Sequence, residues 1–553
     1  MKKTAVLGLL LSVTIVFFGV ICLDNSRIVR FKSSPEGAPY LEVRYDTGSQ
    51  IIKPWYDADG EVWCYFLPSF VEESRIKYES GKQYTIRYFN EDYEAVFYTT
   101  SNVPSMFINT ISGNMDYIHE NKEHEEPGEL IFLNAEGNIG YNGSLDKLSG
   151  HGNATWLEEK KPYNLKLAVE CGFDGLNRSR DWNLLSLSLD GDKIHTKLAL
   201  DMAHMLGSEY TPQGTWVDLY LNDEYRGLYL LTNALNAQDV FNQEEDGFLL
   251  EKEIKDRYES ETHFIMKDNT PFVVIRPRDI SEDSVEDIRQ YIQKIDDEIE
   301  EGNFEEIGSL IDIDSFATQF LVDEISLNFD AFRTSCYVYK KAGEDKLYAG
   351  PAWDYDASFA EYLHRGEMWT NPKETVLYKA ENQLNWYAKL YDIEEYKQHL
   401  VSRYERSLPA LEELFTTQID EYTTQIADSV HNDNIRWQWT KGGRGRAGSY
   451  QTWENDVRYL KYFALTRLNA LGERWEIQSV PCKWTSNRAW HTVTLEYDEK
   501  SYAINVQDGE TILIDDISEL NDCKGGAWYF SYSGEEFNRY LPILEDCTLI
   551  YQK

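Results

Sequence analysis

The stretch NFDAFRTSCYVYKKAGEDKLYAGPAWDYDASF, residues 328–359, places three aspartates at the two ends of a predicted β-hairpin. Asp330 lies just beyond an apolar helical run that we predict to end at Asn328. Asp354 and Asp356 follow the second strand, and they project to the same side if that segment stays extended. Two carboxylates held so close repel each other unless a cation lies between them. The pair therefore predicts either a metal site or a turn cap, and Asp330 is either a turn residue or a base for a hydroxyl proton.

A second stretch, LSGHGNATWLEEKKPYNLKLA at residues 148–168, combines a glycine turn with a lysine-bearing strand. Gly150 and Gly152 flank the turn, and Lys161 and Lys166 follow it. A glycine turn followed by a strand lysine can cover and pair phosphates, although ordinary strands also carry such features. Together the two stretches give the order glycine turn, lysine, hairpin, helix, aspartate, hairpin, aspartate pair, which is the order of parts in a protein-kinase-like core.

Composition restricts the class of protein. The 553 residues carry a formal net charge of −41, from 54 basic and 95 acidic side chains. This balance argues against a nucleic-acid partner, which needs a basic surface. Hydrophobic residues make up 42% and aromatic residues 14% of the chain, so a globular protein of roughly two to four domains is expected.

The N-terminal segment predicts export. Lys2 and Lys3 precede an uncharged, mainly apolar run from Thr4 to Leu23, which is typical of a signal peptide or of an uncleaved membrane anchor. Both alternatives stay open, and both place residues 24–553 outside the cell, either secreted or anchored to its surface. The seven cysteines lack a CxxC pair, which argues against zinc; Cys523 and Cys547 either pair or are isolated thiols.

Hydrophobic patterning divides the remainder into three regions. Residues 24–103 read as a β-rich, sandwich-like domain, and residues 480–553 return to β character. Between them, residues 104–476 begin with mixed strands and helices, including a hairpin that turns at Asn222–Tyr225, and become mostly helical after residue 281. We predict Asp314 as the N-cap of the helix in DIDSFATQFLVDEISLN. The basic, glycine-rich loop TKGGRGRAGSY (residues 440–450) is either a flexible connection or an anion site.

The central region resembles the CotH (spore coat protein H) kinase family. The resemblance rests on four segments in the family's order: residues 148–168, DWNLLSLSLDGDKIHTKLALDMAHMLG (181–207), VDLYLNDEYRGLYLLT (217–232) and residues 328–359. It implies an α+β fold with an atypical protein-kinase-like bilobal core at residues 104–476. We expect this core to be flanked by the N-terminal β-rich domain and by a small C-terminal β-grasp-like domain, which is loosely similar to repeats on bacterial surface proteins.

The resemblance also implies site residues and cofactors, namely ATP and Mg²⁺. Asp330 would be the catalytic base, and Asp354 and Asp356 would hold the metal. The nucleotide side would be formed by Lys161 or Lys166 facing the phosphates and by a turn shaped by Gly150, Gly152 and Asn153.

Four positions depart from the expected pattern, and one of them is Asn233, which stands where the family's hairpin usually ends in glutamate. His151 and His195 stand where the family often has arginine, and a histidine at neutral pH is mostly uncharged. Ser335 stands where ordinary kinases place a second metal ligand, asparagine. The metal-and-base half of the site is therefore better supported than the phosphate-binding half.

The expected function is an exported or surface-anchored kinase that transfers phosphate from ATP to serine or threonine of extracellular or spore-coat-type proteins. One alternative is a kinase fold that serves as a surface or coat scaffold without turnover. Another is a cell-wall or carbohydrate-binding protein, suggested by 15 Trp and 38 Tyr.

Overall fold

The computed structural model describes residues 41–45, 47–56, 63–69, 95–99, 102–235, 246–254, 258, 261–331, 333–361, 370–375, 386–437, 450–477, 489–512, 514, 520 and 526–553. The predicted export segment, the basic residues Lys441, Arg444 and Arg446, and Cys523 lie outside these ranges. Cys64, Cys171, Cys336 and Cys547 form no disulfide bond with one another. No helix in the described part of the chain is both long and apolar enough to cross a membrane.

The described residues form two compact units of a mixed α+β protein. The first unit takes its residues from 1–188, 214–233 and 423–439, and the second from 189–213, 234–422 and 440–553. The α+β class predicted from the sequence is confirmed.

The first unit is built around a closed barrel of seven strands, in the order β10-β12-β11-β6-β7-β8-β9. These strands are β6 (Ser105–Thr110), β7 (Glu126–Leu133), β8 (Ile139–Gly150), β9 (Tyr163–Cys171), β10 (Ser179–Leu185), β11 (Gly214–Leu221) and β12 (Glu224–Asn233), and helix α1 (Asp116–Glu120) lies between β6 and β7. Alternate side chains of the strands fill the interior, for example Tyr163, Leu165 and Leu167 of β9, all fully buried. A closed barrel leaves no unpaired strand edge.

The predicted hairpin between β11 and β12 is confirmed. Leu221 pairs with Glu224, and the two residues between them, Asn222 and Asp223, have φ values of 49° and 72°. Asparagine and aspartate tolerate this left-handed region, and a two-residue turn with two positive φ values matches the twist of the flanking strands. Five further strands of this unit precede the barrel: β1 (Leu41–Tyr45), β2 (Gly48–Ile52), β3 (Trp55–Tyr56), β4 (Trp63–Leu67) and β5 (Ala95–Thr99).

The second unit carries helices around a five-stranded sheet of order β14-β15-β13-β16-β17. Its strands are β13 (Phe248–Lys252), β14 (His263–Ile265), β15 (Pro271–Arg276), β16 (Cys336–Lys340) and β17 (Leu347–Ala349). Its helices are α2 (His195–Leu206), α3 (Glu282–Glu301), α4 (Phe304–Leu310), α5 (Ile313–Ser326), α6 (Trp386–Tyr391), α7 (Glu394–Glu413) and α9 (Trp453–Arg474). A π-helical turn, Leu414–Gln418, joins α7 to α8 (Ile419–Trp437), whose residues from 423 onward belong to the first unit.

Two helix boundaries differ from those predicted. The N-cap of α5 is Asp312, whose side chain accepts a hydrogen bond from the Ser315 N–H at 2.8 Å. Asp314 lies in the first turn instead, where Arg403 holds its carboxylate at 2.8 Å. The helix ends at Ser326, two residues before Asn328, because Leu327 takes a left-handed conformation with φ 49°.

Helix α9 supports both the core and the C-terminal sheet of the second unit. Arg467 of α9 is fully buried and lies 3.0 Å from the buried Glu324 of α5. Arg458 of α9 donates two hydrogen bonds of 2.6 Å to Asp508, a carboxylate that also contacts His491 at 2.8 Å. The sheet that holds Asp508 at its edge has the order β19-β18-β21-β20, with β18 (Trp490–Tyr497), β19 (Lys500–Gln507), β20 (Ala527–Phe530) and β21 (Cys547–Gln552).

Candidate active site

The loop after β17 presents Asp354 and Asp356 and buries the tyrosine between them. Asp354 has φ 66°, so this segment is not extended, and the condition under which the two side chains were expected to project to the same side is not met. The Tyr355 hydroxyl donates to Asp323 Oδ1 at 2.7 Å, and Gln319 Nε2 donates to the same hydroxyl at 2.9 Å. Tyr355 therefore anchors the loop to helix α5, which leaves its two acidic neighbours half-buried.

The loop that follows α5 carries Asp330, and backbone hydrogen bonds tie it to the Asp356 loop. The Phe329 N–H donates to the Ala357 carbonyl at 3.1 Å, and the Phe359 N–H donates to the Ser326 carbonyl at 2.7 Å. The Asp330 carbonyl accepts from the Arg333 N–H at 2.9 Å, which closes a turn around the residue. These bonds hold the Asp330 loop against the Asp356 loop through the main chain.

The three carboxylates interact electrostatically. Burial raises the pKa of Asp356 well above its ordinary value, and the negative charges of Asp354 and Asp330 raise it further. Ser335 Oγ donates to Asp354 Oδ2 at 2.9 Å, so the hydroxyl at the kinase asparagine position contacts a candidate metal ligand. Carboxylate oxygens grouped in this way fit a hard divalent cation such as Mg²⁺, whose charge would offset their repulsion.

Behind this site lies a buried layer that the sequence did not predict. Asp190, Asp192 and His195 are buried, and one ligand atom from each lies within 4.8 Å of the others. His195 Nδ1 is 2.9 Å from Asp190 Oδ1, 3.3 Å from both oxygens of Asp192, and 3.9 Å from Glu361 Oε2. The opposite ring nitrogen, Nε2, lies 3.2 Å from the backbone carbonyl of Asp356. The imidazole thus connects the start of α2 to the acidic loop.

The charge of His195 differs from the expectation for a histidine. Burial of the ring opposes protonation, but the carboxylates of Asp190 and Asp192 outweigh it and raise the pKa well above its ordinary value. The ring is therefore a cation at neutral pH, as the arginine often found here in the family would be. Its charge faces carboxylates of its own unit, so it serves as a buried counter-ion to them.

The glycine turn of the first unit is held by a lysine that sequence reasoning missed. Gly152 has φ 73°, and a Cβ on Gly150 would come within 2.7 Å of the Lys122 backbone and of the Trp156 ring. Lys122 Nζ donates to the Gly152 carbonyl at 3.2 Å and to Asn153 Oδ1 at 3.0 Å. Close approach of another backbone thus explains the first glycine, and left-handed conformation explains the second.

Of the lysines around this turn, the one that was not singled out is the buried one. Lys160 is fully buried and lies 2.6 Å from the equally buried Asp433. Lys161 Nζ donates to the carbonyls of Trp156 and Glu158 at 2.8 and 3.2 Å, and burial lowers its pKa. Lys166 lies on β9 between two inward-facing leucines and is itself half-buried. The sequence alone does not show which of the three lysines is buried. Burial of Lys160 depends on its contact with Asp433 of helix α8, which lies far away in the sequence.

His151 behaves as the sequence predicts. Burial lowers its pKa to about 4, with a further contribution from the positive charge of Lys122. It is therefore uncharged at neutral pH and supplies none of the charge that an arginine would.

The acidic residues fall in the second unit and the glycine turn and lysines in the first. The charges of Asp330 and Asp354 act on Asp356, whereas the roles of these three residues and their convergence with Lys161 or Lys166 remain predictions. The signal for the missed layer was present in DGDKIH (residues 190–195), where two aspartates precede the histidine by five and three positions. Glu361 carried no local signal.

Comparison with known proteins agrees with this reading. A family model described as CotH kinase protein matches residues 148–471, which is more than half of the chain. No curated protein matches the chain. The match to the family model confirms the resemblance drawn from the four sequence segments.

Proposed function

The chain belongs to the CotH kinase family, and on that premise we propose that it transfers the γ-phosphoryl group of ATP to serine or threonine hydroxyls of extracellular or spore-coat-type proteins. The observation that carries the proposal is the joining of the Asp330 and Asp356 loops by main-chain hydrogen bonds, with three carboxylates grouped around the junction. A base and a metal-binding pair in one loop cluster are what phosphoryl transfer requires of the acidic side of a site.

Each acidic residue has a distinct role in this proposal. Asp330 orients the acceptor hydroxyl and takes its proton, because its backbone is fixed in a turn beside the other two carboxylates. Asp354 and Asp356 would hold Mg²⁺, which would supply positive charge to offset that of the nucleotide phosphates. Tyr355 and His195 keep the acidic loop in place from behind, through Asp323 and the Asp356 carbonyl respectively.

The transfer step balances with these groups. The acceptor oxygen forms a bond to the γ-phosphorus while the bond from that phosphorus to the β–γ bridging oxygen breaks. The hydroxyl proton passes to the Asp330 carboxylate, and ADP leaves with the electrons of the broken bond. Positioning and charge neutralisation supply most of the acceleration in such reactions. Lys161 or Lys166 would face the phosphates, and Gly150, Gly152 and Asn153 would shape the turn that covers them, in a bilobal kinase-like arrangement.

Location belongs to the same proposal. The apolar N-terminal segment would direct the protein out of the cell, as a cleaved signal or as an anchor. Its partners would then be exported proteins, and the flanking β domains would place the kinase-like core at a cell or spore surface.

The test is phosphotransfer from labelled ATP, with Mg²⁺, to a serine-rich acceptor protein. Asp330→Asn and Asp356→Asn each keep the size of the side chain but remove the base or a metal ligand, and each should reduce labelling at least about a hundredfold. Asp345→Asn, at an exposed aspartate of the hairpin between them, is the matched control and should label like the parent protein. Equal labelling by all four proteins would refute the assignment.

A second candidate is a scaffold that keeps the fold without turnover. Two observations favour it: His151 is uncharged at neutral pH, and the serine at position 335 is a weaker metal ligand than asparagine. Thermal denaturation with and without ATP and Mg²⁺ separates the candidates. A kinase should show a midpoint raised by a few degrees at saturating nucleotide, and an unchanged midpoint points to the scaffold.

A further inference from the structure

Two arginines of the first unit stand over the same tryptophan. Arg226 on β12 has its guanidinium carbon 5.2 Å from the ring centroid of Trp437, and Arg436 on α8 has its own 4.5 Å from that centroid. Cation–π contacts of this kind hold the planar groups in a fixed orientation. The two guanidinium groups carry the same charge and repel each other. A negative charge close to both of them would offset this repulsion.

Further positive charge surrounds this pair. Lys161 Nζ lies 4.7 Å from the Trp156 ring, and the positive charge of Arg226 opposes the burial that raises the pKa of the Tyr163 hydroxyl. His119 Nε2 lies 2.8 Å from that same hydroxyl. Burial, together with the positive charges of Arg226 and Lys161, lowers the pKa of His119 to about 4. The local potential is thus positive in a protein whose net charge is −41.

The acidic side chains nearby, which include Glu158 acting on Lys161, only partly offset this potential. Glu224 Oε2 is 3.5 Å from Arg226 Nη1 and its side chain is 53% exposed. Asp433 is engaged with Lys160 at 2.6 Å and with the Leu228 N–H at 3.1 Å. Arg436 Nε donates to the Tyr225 carbonyl at 3.1 Å. Arg226 Nε is buried and has no hydrogen-bond partner among the described residues, although the Arg226 side chain as a whole keeps 12% exposure.

We propose that Arg226 and Arg436, with Lys161 beside them, form a binding site for a phosphate group. A guanidinium presents paired N–H groups to two oxygens at once, and the Arg226 side chain keeps 12% exposure through which an anion can reach it. The multiple negative charge of a phosphate matches three cations better than a carboxylate does. This inference extends the proposed function, since it would supply the phosphate-binding charge that His151 lacks. The phosphate would come from a nucleotide or be free in solution.

The test is calorimetric titration of the full-length protein with pyrophosphate and, separately, with ATP, both without Mg²⁺ so that the acidic loops contribute no metal-mediated binding. Arg226→Gln should weaken pyrophosphate binding at least about tenfold. Arg178→Gln is the matched control: this arginine lies in the same unit, has a 67% exposed side chain, and contacts Glu170 through its carbonyl at 2.7 Å and its carboxylate at 3.8 Å. It should bind like the parent protein.

Thermal denaturation gives an independent measure. Arg226→Gln also loses the contacts with Trp437 and Glu224, so the measure is the rise of the thermal midpoint caused by pyrophosphate, which should shrink in this variant relative to its own ligand-free midpoint. Arg436→Gln should reproduce the loss of affinity should Arg226→Gln fail to fold.

Absence of binding to both ligands, or equal affinity of parent and Arg226→Gln, would overturn the site. Binding of ATP that depends on Arg226 identifies the nucleotide as the source, and binding of pyrophosphate alone identifies free phosphates. Arginine-dependent binding without any phosphotransfer would keep this inference and reject the proposed kinase activity.

Discussion

The buried ion pair between Lys160 and Asp433 should be a major determinant of the barrel's stability. Both side chains are fully buried and 2.6 Å apart. Lys160 Nζ also donates to the Leu228 carbonyl at 2.6 Å, and Asp433 accepts from the Leu228 N–H at 3.1 Å. Lys160→Met would therefore leave a buried carboxylate without its counter-ion and a backbone carbonyl without its donor. Breaking a buried pair from one side costs about 3–5 kcal/mol.

Hydrogen exchange of the peptide covering β12 is the suitable assay, because a multidomain chain does not unfold in a single step. If the free energy of opening falls by about 3–5 kcal/mol, the open state is populated roughly a hundredfold to several thousandfold more, and the amide hydrogens exchange faster by the same factor. Lys147→Met is the matched control, since Lys147 pairs with Glu125 and both side chains keep exposures of 33% and 55%. Its loss should cost less than about 1 kcal/mol.

The double variant Lys160→Met, Asp433→Asn sharpens the test. The amide oxygen of asparagine can still accept from the Leu228 N–H, but it carries no charge. Part of the protection lost in Lys160→Met should therefore return. If Lys160→Met exchanges no faster than Lys147→Met, or if adding Asp433→Asn brings a further loss, the buried charge is not what holds β12.

Two further predictions concern single positions. Burial raises the pKa of Asp323 to about 6, although hydrogen bonds to the carboxylate act in the opposite direction. The folded protein therefore favours the protonated form of Asp323. The contribution of this group to the free energy of unfolding is full below about pH 4, and about 3 kcal/mol of it is lost as the pH rises through 6. Asp323→Asn should remove that slope from the pH dependence of the thermal midpoint, and parallel curves for both proteins would contradict it. Gly227→Ala places a Cβ 1.9 Å from Asp433 Oδ1 at φ 99°, so it should lower the midpoint far more than Gly175→Ala, which has φ 82° and no atom within 4 Å; equal effects would show that backbone strain alone matters.

Local patterns sufficed for much of the fold. The Asn222–Asp223 turn follows from residues that tolerate positive φ between two apolar strands, and both predicted strands of the 328–359 hairpin are present. The N-cap of α5 could not be chosen locally, because Asp312 and Asp314 are both suitable. A tertiary contact decided it: Arg403 on α7 holds Asp314.

The candidate site divides in the same way. Asp330, Asp354 and Asp356 were found because they lie close in sequence around one hairpin. The Asp190–Asp192–His195 layer and Glu361 were missed, since 95 acidic residues make a single pair unremarkable until packing shows it to be buried. His195 also shows why the residue type alone misleads: its charge is set by carboxylates that the tertiary fold brings to it.

The attachment of helix α9 bears on how the C-terminal sheet can be treated in any experiment. In the first turn of this helix, Trp453 Nε1 donates to the Asp192 carbonyl at 2.8 Å. About one and a half turns later, Arg458 donates to the Asp508 carboxylate beside the sheet. Helix α9 thus contacts both the buried layer behind the acidic loop and the C-terminal sheet. A protein truncated before β18 would lack Asp508, the partner of Arg458, and would expose the face of α9 that the sheet covers. Loss of activity in such a truncated protein would therefore not show whether the sheet itself binds a surface.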